Sequence, residues 1–356
     1  MNVRAYTPEW ESDWNEFCVE CDEAWFLHTR DCIDYYLAHS PETVVDEVSF
    51  LITSAKEIQA ICPLSLTETP TGRELSLGQS YAVRPAIVNE SDRGIRKTLQ
   101  KKIFERIDTL ADEHDVSRTR MMFSPLSPSE RESTRTHNYL QRFGYTDTSV
   151  NTRIIDLGKP RQRLWDEMRK GHRRNVSDAE SDLTVTVFDQ NSITRRDFAT
   201  YEYLHYKAAG RRTRSERTFQ IMYDWVKDGY GILVRAEYDD TVAGTAYFNV
   251  FGNGATYSSG ANDPAVDLPV GHVIHWHVIK WLKEHDYEYY ESGIQWPRGQ
   301  VLVQPSQKQR DISYFKRGFG GFDVPLFRGV RYYDSDRASE DGSEKVEQFA
   351  SQSFPP

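Results

Sequence analysis

The sequence predicts an α/β (α+β) protein of two domains, and three observations support this. Patterns typical of helices alternate with patterns typical of strands along the whole chain. A chain of 356 residues is too long for one ordinary core and suits two domains of roughly 150–180 residues each. Hydrophobic residues form 38% of the chain and aromatic residues 13%, which excludes a wholly disordered protein.

The elements of the first half can be assigned in order. Helical patterns rich in aromatic residues cover 8–40, and the segments VSFLITS and IQAICPLSL predict two strands around the charged turn at 55–57. LSLGQSYAV predicts a third strand. A long amphipathic helix is predicted over about 93–114, then a strand at MMFSP, a helix over about 129–143 and a strand at NTRIIDL.

The second half is predicted to begin with a helix over 160–182, which starts at the favourable first-turn residue Pro160. A strand at LTVTVF and two helices follow, over 194–209 and 215–227. GILVRAEY and VAGTAYFNVF predict a hairpin, and ATYSSGA adds a third strand. The helix over 270–285 has the spacing of one buried face. YEYYESG, a short helix ended by glycines, DVPLF and GVRYY complete the half.

The two halves resemble each other. LITSAKEIQAICPL lines up with LVRAEYDDTVAGTA, and each half has a later amphipathic helix that finishes in Glu-His-Asp before a strand. We therefore predict an internal duplication, with domains at 1–156 and 157–333. The remaining segment, 334–356, is acidic, rich in serine and nearly devoid of aliphatic residues, so it is predicted to be a disordered tail.

Composition also restricts the partners and the compartment. The net charge of -10 argues against non-specific binding to nucleic acid, although it leaves room for a local basic groove. Cys18 and Cys21 form a C-x-x-C without a second ligand pair, so we interpret them as small residues of a packed helix. Without a disulfide framework, a signal peptide or a membrane-spanning segment, the sequence predicts a soluble cytoplasmic protein.

Three stretches of the second half resemble a known family. They are LWDEMRKGHRRNVSDAE, then GATYSSGANDPAVDLPVGHVIHWHVIKWLKEHDYEYYESG, and finally KQRDISYFKRGFGG. In this order they are similar to the FemABX-type branch of the GNAT superfamily, which includes peptidoglycan aminoacyltransferases and acyltransferases of exopolysaccharide biosynthesis. The resemblance covers about 155–330. It implies two tandem GNAT-like domains, each a mixed, largely antiparallel sheet flanked by helices, with the active site in the second.

The sequence departs from the family in two respects. It has no long charged heptad segment of the kind that forms the helical arm of some peptidoglycan enzymes. It also shows no clear Arg/Gln-x-x-Gly-x-Gly/Ala loop of the kind that binds the pyrophosphate of coenzyme A. The donor predicted from the resemblance therefore stays open between acyl-coenzyme A and aminoacyl-tRNA, and no permanently bound cofactor is predicted.

The candidate catalytic residues are Lys316, Glu291 and Tyr257. Lys316 lies at the end of the last predicted helix on one stripe with Lys308, where its ammonium can face a carbonyl oxygen or a phosphate; a lysine that interacts with the helix dipole is the alternative. The resemblance implies that Phe315 and Lys316 line the donor site. It also places Tyr257 and Glu291 at the family's pocket, with Glu291 as the base or as a holder of the acceptor.

The candidate binding residues are mostly basic. A cluster at 169–174 and a second one at 211–214 predict an anionic cleft, with solvated helix faces as the alternative. A loop that ends at the next predicted helix can present backbone N–H groups to a phosphate. The residues assigned to donor or substrate binding are Lys308, Phe315, Gly271, Arg173, Lys170, Arg211, Arg212 and Ser259. The histidines at 272, 275 and 277 lack an acidic ligand at a fitting spacing, so no metal site is predicted.

The predicted function is N-acyl transfer, with an acyl or aminoacyl group passing to an amino group of a sugar or cell-envelope precursor. The acceptor would be a small molecule or a lipid- or nucleotide-linked amino sugar; DNA and integral membrane association are not expected. Two alternatives remain: a non-catalytic GNAT-fold module that binds a glycan or peptide, and a tRNA-dependent aminoacyltransferase.

Overall fold

A computed structural model describes residues 1–78, 80–89, 92–132, 137–297 and 300–351. The strands of the first half are β1 (Asn2–Ala5), β2 (Val44–Glu47), β3 (Phe50–Ser54), β4 (Glu57–Cys62), β5 (Ser65–Thr69), β6 (Gly72–Ser76), β7 (Ala82–Val83), β8 (Ala86–Ile87), β9 (Val116–Met122) and β10 (Thr146–Asp147). Its helices are α1 (Glu11–Glu20), α2 (Arg30–His39), α3 (Arg93–Glu113) and α4 (Pro128–Arg131). Short 3-10 helices lie at Pro8–Trp10, Phe26–His28 and Tyr139–Phe143.

The strands of the second half are β11 (Val150–Asp156), β12 (Thr184–Phe188), β13 (Gly231–Tyr238), β14 (Thr241–Phe251), β15 (Gly254–Asn262), β16 (Tyr289–Gln295), β17 (Phe322–Leu326) and β18 (Arg328–Tyr332). Its helices are α5 (Arg161–Glu167), α6 (Lys170–Ala179), α7 (Arg195–Ala209), α8 (Glu216–Lys227), α9 (Val270–Glu284), α10 (Gln307–Arg317) and α11 (Ser335–Ala350). Within the described ranges, no helix is both long enough and apolar enough to cross a bilayer.

The chain forms two compact units, but one cut does not separate them. The first unit contains 1–151, 296–310 and everything described from 325 onward; the second contains 152–295 and 311–324. The predicted domain ranges, 1–156 and 157–333, differ mainly at the C-terminal end. There β18 pairs with β9 of the first unit, with Arg328 opposite Met122. The order of elements along the sequence does not show that the C-terminal strand pairs with a strand of the first unit.

The first unit holds two sheets, with strand orders β1-β3-β4-β8 and β10-β18-β9-β6-β5-β2. The second unit holds one seven-stranded sheet in the order β12-β13-β14-β15-β16-β11-β17. In that sheet β12 to β15 are antiparallel, whereas β15 and β16, which α9 connects, are parallel. The fold is therefore the predicted mixed, largely antiparallel α/β arrangement, with sheets in both units.

The pairing of β15 with β16 is short, and this creates an opening in the sheet. It includes only Gly254, Ala255 and Thr256 on β15, opposite residues 289–291 on β16. Beyond Thr256 the ladder ends, although β15 continues to Asn262 and β16 to Gln295. Strands that stop pairing leave backbone groups that are free of that ladder and available to another partner.

Helix α9 covers the sheet of the second unit through one apolar face, as its spacing predicts. The buried residues of this face include Val270, Val273, Ile274, Val278 and Leu282. Because each buried aliphatic side chain contributes about 1.5–3 kcal/mol, this face fixes the helix firmly behind the opening.

The predicted turns support the internal duplication. Ala55 and Lys56 both have positive φ angles, 49° and 77°, and so do Asp239 and Asp240, 48° and 58°. These are the angles of a two-residue hairpin of the primed type. The aspartates of the two Glu-His-Asp sequences, at 115 and 286, also share a left-handed conformation, with φ of 52° and 61°.

The prediction of a disordered acidic tail is wrong for most of that segment, because residues 335–350 form helix α11. Asp334 caps its first turn by accepting hydrogen bonds from two backbone N–H groups. Asp341 is buried and binds Arg118 on β9, and it also accepts a hydrogen bond from Tyr332 at 2.9 Å. These contacts offset the ordering entropy, and composition alone cannot reveal such partners.

Candidate functional site

Glu291 lies at the point where β15 and β16 part. It is the last residue of β16 in the ladder, opposite Thr256. Its Oε2 accepts a hydrogen bond from Thr256 Oγ1 at 3.0 Å, and its Oε1 accepts one from Thr152 Oγ1 at 2.5 Å. Thr152 belongs to β11, the neighbour of β16 on its other side. The carboxylate is therefore held between hydroxyls of the two flanking strands.

The surroundings of Glu291 shift its proton affinity. Burial raises the pKa of this carboxyl, whereas the two threonine hydroxyls and the nearby ammonium of Lys316 lower it. The net shift is upward. A carboxyl with a raised pKa is a better proton acceptor than an exposed glutamate.

Lys316 lies in the last turn of α10 and points its ammonium at the same place. Its Nζ lies 5.2 Å from the centroid of the Tyr257 ring. It also packs against Gly293, where an added Cβ would lie 2.5 Å from Nζ. Gly293 has a φ of 107°, so both the backbone conformation and the lysine require glycine here.

The ammonium of Lys316 forms no ion pair with any residue that the structure describes. Burial lowers the pKa of its ammonium, and the carboxylate of Glu291 partly opposes this effect. Among the described residues, no acidic group lies within ion-pair distance (4.0 Å) of Lys316 Nζ and no acceptor forms a hydrogen bond with it. A buried ammonium in that state is ready to bind an oxygen atom of a bound substrate.

Tyr257 contributes a phenol that stays protonated. Burial raises the pKa of Tyr257 to about 12. The ring packs against Phe248 and against His275, at centroid distances of 5.5 Å and 4.9 Å. Its hydroxyl lies close to Gly260, where an added Cβ would be 2.9 Å away. At neutral pH this group is a hydrogen-bond donor.

A wall of aromatic rings and histidines supports Phe315, the predicted donor-site residue. Its ring lies 5.0 Å from His272 and 5.6 Å from His275. Burial is the main cause that lowers the pKa of His272 to about 4 and that of His275 to about 3. His172 Nε2 lies 2.9 Å from the carbonyl oxygen of Phe315 and holds the last turn of α10. The wall is therefore neutral at physiological pH.

Ser259 belongs to a second polar group of the same unit. Its hydroxyl lies 2.7 Å from the hydroxyl of Tyr201 and 3.4 Å from Nη1 of Arg214. Arg214 also lies 2.9 Å from His205 Nε2. The sequence analysis selected the neighbouring Arg211 and Arg212, whereas the structure brings Arg214 to Ser259.

The other predicted basic residues lie apart from this geometry. Arg211 and Lys170 are exposed, and Arg212 forms an exposed pair with Glu216 at 2.7 Å. Arg173 donates to the carbonyl oxygens of residues 166 and 168, at 2.7 Å and 3.0 Å, and so completes the end of α5. Lys308 is exposed and belongs to the first unit.

Gly271 lies in the first turn of α9, next to Phe315, where an added Cβ would be 3.6 Å from its ring. The N–H groups of Val270 and His272 already donate to the carbonyl oxygens of Leu268 and Pro269, at 2.8 Å and 2.9 Å. This turn therefore offers a phosphate fewer free N–H groups than an open helix start. Phosphate binding at Gly271 stays a prediction.

Sequence reasoning missed Thr152, Thr256 and Gly293. The two threonines reach Glu291 only through the register of three adjacent strands, which the sequence does not specify. Gly293 carried a signal, because a glycine inside a predicted strand indicates close approach of another group.

Comparison with known proteins agrees with this geometry. Residues 159–298 match the family model described as "Acetyltransferase (GNAT) domain", and this segment contains α9 and the parting strands. No curated protein matches the sequence at a significant level.

Several solved structures share the fold over nearly the whole chain. FemX is similar with a TM-score of 0.63 and 13% identity, covering 92% of this chain and 97% of FemX. The C-terminal domain of a putative lysylphosphatidylglycerol synthetase from Agrobacterium fabrum gives a TM-score of 0.57 and 10% identity, covering 94% and 95%. A tandem GNAT protein from the clavulanic acid biosynthesis pathway gives 0.50 and 12%, covering 93% and 98%. At these identities the likeness shows the fold alone: this chain shares the fold of FemX and of the tandem GNAT protein.

Proposed function

We propose that this chain transfers an acyl or aminoacyl group to the amino group of a sugar or cell-envelope precursor. The GNAT domain supports acyl transfer in general. The observation that carries the proposal is the convergence of Lys316, Glu291 and Tyr257 where β15 and β16 part. Lys316 provides a buried ammonium that has no ion-pair or hydrogen-bond partner among the described residues, beside a carboxyl of raised pKa, and this pair suits the chemistry of amide formation.

The proposed reaction uses these groups in separate roles. The neutral amine attacks the carbonyl carbon of the donor, so that a C–N bond forms and the carbonyl oxygen becomes an oxyanion. The ammonium of Lys316 stabilises this oxyanion. Glu291 accepts the proton that the amine loses. The C–S or C–O bond to the leaving group then breaks, and the protonated phenol of Tyr257 donates a hydrogen bond to the departing atom.

The donor is the less defined substrate. GNAT domains use acyl-coenzyme A as co-substrate, so it is the first donor to test. Charged tRNA is the second, since one similar structure is a lysylphosphatidylglycerol synthetase, whose product carries an aminoacyl group. The net charge of -10 disfavours tRNA, while the occupied N–H groups at the start of α9 weaken the case for a diphosphate there.

The first experiment measures the melting temperature of the purified full chain with and without acetyl-coenzyme A. A ligand that binds only the folded state raises stability, by about 2.7 kcal/mol at a hundredfold excess over Kd. We expect acetyl-coenzyme A to raise the melting temperature clearly. Longer acyl-coenzyme A compounds should change the size of this shift. If these thioesters give no shift and charged tRNA does, the donor is aminoacyl-tRNA. No shift with either class would refute acyl transfer and favour the glycan- or peptide-binding module.

A further inference from the structure

Arg328 is a buried arginine held between two aromatic rings in the first unit. Only 8% of the residue is exposed. The carbon of its guanidinium lies 5.1 Å from the centroid of the Tyr81 ring and 5.4 Å from that of Trp296. Such stacking orients the plane of the guanidinium and leaves its edge for hydrogen bonding.

Backbone and side-chain contacts fix this arginine in place. Its Nε donates to the carbonyl oxygen of Thr148 at 2.5 Å. Its backbone N–H donates to Ser149 Oγ at 3.2 Å, and its carbonyl oxygen accepts from Asn138 Nδ2 at 2.8 Å. Its strand is also paired with β9 and β10. The guanidinium is thus preorganised before any ligand binds.

The charge of Arg328 is not neutralised by the described part of the chain. No carboxylate there forms an ion pair with it, and its two terminal nitrogens form no hydrogen bond. The acidic group that acts on it, Asp147, already accepts hydrogen bonds from Asn138 and Ser149. Burial consequently lowers the pKa of the guanidinium. A buried charge in this state costs several kcal/mol unless a ligand compensates it.

A second cation strengthens the positive potential at this place. The guanidinium of Arg120 lies 5.5 Å from the centroid of the same Tyr81 ring that contacts Arg328. Arg120 is itself paired with Glu74, which is buried and also bound to Arg118. Tyr81 therefore lies near two guanidinium groups, those of Arg120 and Arg328.

We propose that Arg328, between Tyr81 and Trp296, binds an oxyanion through its two terminal nitrogens. The matching ligand chemistry is a carboxylate or a phosphate group, since either accepts two parallel N–H···O bonds from a guanidinium. This site goes beyond the acyl-transfer site, because it uses other residues and lies in the other compact unit.

The test titrates the full chain with sodium phosphate and, separately, sodium acetate, at constant ionic strength maintained with chloride. Melting temperature and calorimetry are the readouts. We expect saturable binding of at least one anion, and at least tenfold weaker binding by Arg328→Gln. The matched control is Arg73→Gln, which removes an exposed arginine paired with Glu68 and should bind as the wild type does.

Each outcome decides the proposal. Tighter binding of phosphate assigns a phosphate ligand, and tighter binding of acetate assigns a carboxylate. If Arg328→Gln does not fold, Arg328→Lys is the second variant. Lysine keeps the positive charge but cannot donate two parallel hydrogen bonds, so this variant should bind the anion several-fold more weakly than the wild type does. The proposal is overturned if the wild type shows no saturable anion binding. It is also overturned if both Arg328 variants bind the anion as tightly as the wild type does. Neither result affects acyl transfer, because no residue of that site is changed.

Discussion

Two buried cations, Arg84 in the first compact unit and Lys316 in the second, are accommodated in opposite ways. In the first unit Arg84 is only 1% exposed, and it pairs with Glu23 at 2.8 Å and Glu130 at 3.1 Å. In the second unit Lys316 is largely enclosed, and Glu291 acts on it without forming an ion pair. The ion pairs of Arg84 compensate its buried charge without any ligand. The arrangement around Lys316 is complete only when another molecule supplies the oxygen atoms.

This difference separates stability from function. A buried charge that is already paired within the protein does not need a ligand to compensate it. Breaking that pair leaves an uncompensated buried charge. A buried charge without partners lowers stability and is retained where it binds substrate or a transition state. The following predictions test whether this separation holds.

The largest expected effect is on turnover by Lys316→Ala. We expect kcat to fall roughly 100- to 1,000-fold, because the oxyanion loses its preorganised cation. The melting temperature should stay within a few degrees, since no protein partner is lost. The matched control is Lys280→Ala, which removes a lysine paired with Glu180 at 2.7 Å and should leave kcat unchanged. A collapse in stability of Lys316→Ala would show that this lysine is structural.

Arg84→Met should give the opposite result. It removes the buried cation that Glu23 and Glu130 share, while Arg96 still pairs with Glu23, so the free energy of unfolding should fall by about 3–5 kcal/mol. Urea denaturation measures this change, and the folded fraction should keep its kcat. A loss below about 1 kcal/mol would mean that the pairing contributes little.

Gly293→Ala should affect activity more than stability. Its Cβ would displace the ammonium of Lys316, and we expect a loss of about tenfold in kcat. The control is Gly252→Ala, where φ is also positive, at 54°, but no atom lies within 4 Å of the new Cβ. The backbone cost is about 1 kcal/mol for Gly252→Ala and larger for Gly293→Ala, because a φ of 107° lies outside the left-handed region that other residues adopt. Equal activity of the two would indicate that Lys316 adapts freely.

The smallest effect is on the pH dependence of kcat/KM. Thr152→Val removes one hydroxyl that favours the ionised form of Glu291, so the pKa of Glu291 should rise further. A base must be ionised to accept a proton, and the acidic limb of the profile should therefore move to higher pH. Thr241→Val, at an exposed strand start, is the control.

The raised pKa of Glu291 also predicts the direction in which the stability of the protein changes with pH. In the window between the ordinary glutamate pKa and the raised one, the folded state binds more protons than the unfolded state. Stability therefore falls as the pH rises through this window. Glu291→Gln should remove that slope in melting temperature against pH, and an unchanged slope would assign it to another group.

The sequence predicted the fold class and several elements, for physical reasons that are local. The spacing of apolar residues in α9 and the turn residues at 55–56 and 239–240 act over a few positions, and the structure confirms them. The choice of Lys316, Glu291 and Tyr257 came from a family resemblance, and the structure brings these residues together. Their catalytic roles stay predictions.

Other expectations failed because they depend on distant partners. The acidic C-terminal segment was predicted to be disordered, yet it forms α11, since Asp341 finds Arg118 across more than two hundred residues of sequence. Arg173 was selected for its charge, but its partners are carbonyl oxygens at the end of α5.

The sequence by itself determined most of the helices and strands, with α11 as an exception, because the periodicity of apolar residues and the conformations of turns are local properties. It also supplied the residue types that acyl transfer needs. Only the tertiary structure decided which charges are paired. It placed Thr152 and Thr256 on the two oxygen atoms of Glu291, and it left Lys316 and Arg328 without an ion pair to any carboxylate in the described ranges. The reason is that the strength of a charge interaction depends on the distance between the charges and on their burial. Both are set by the register of the strands and by which segments pack together in the fold.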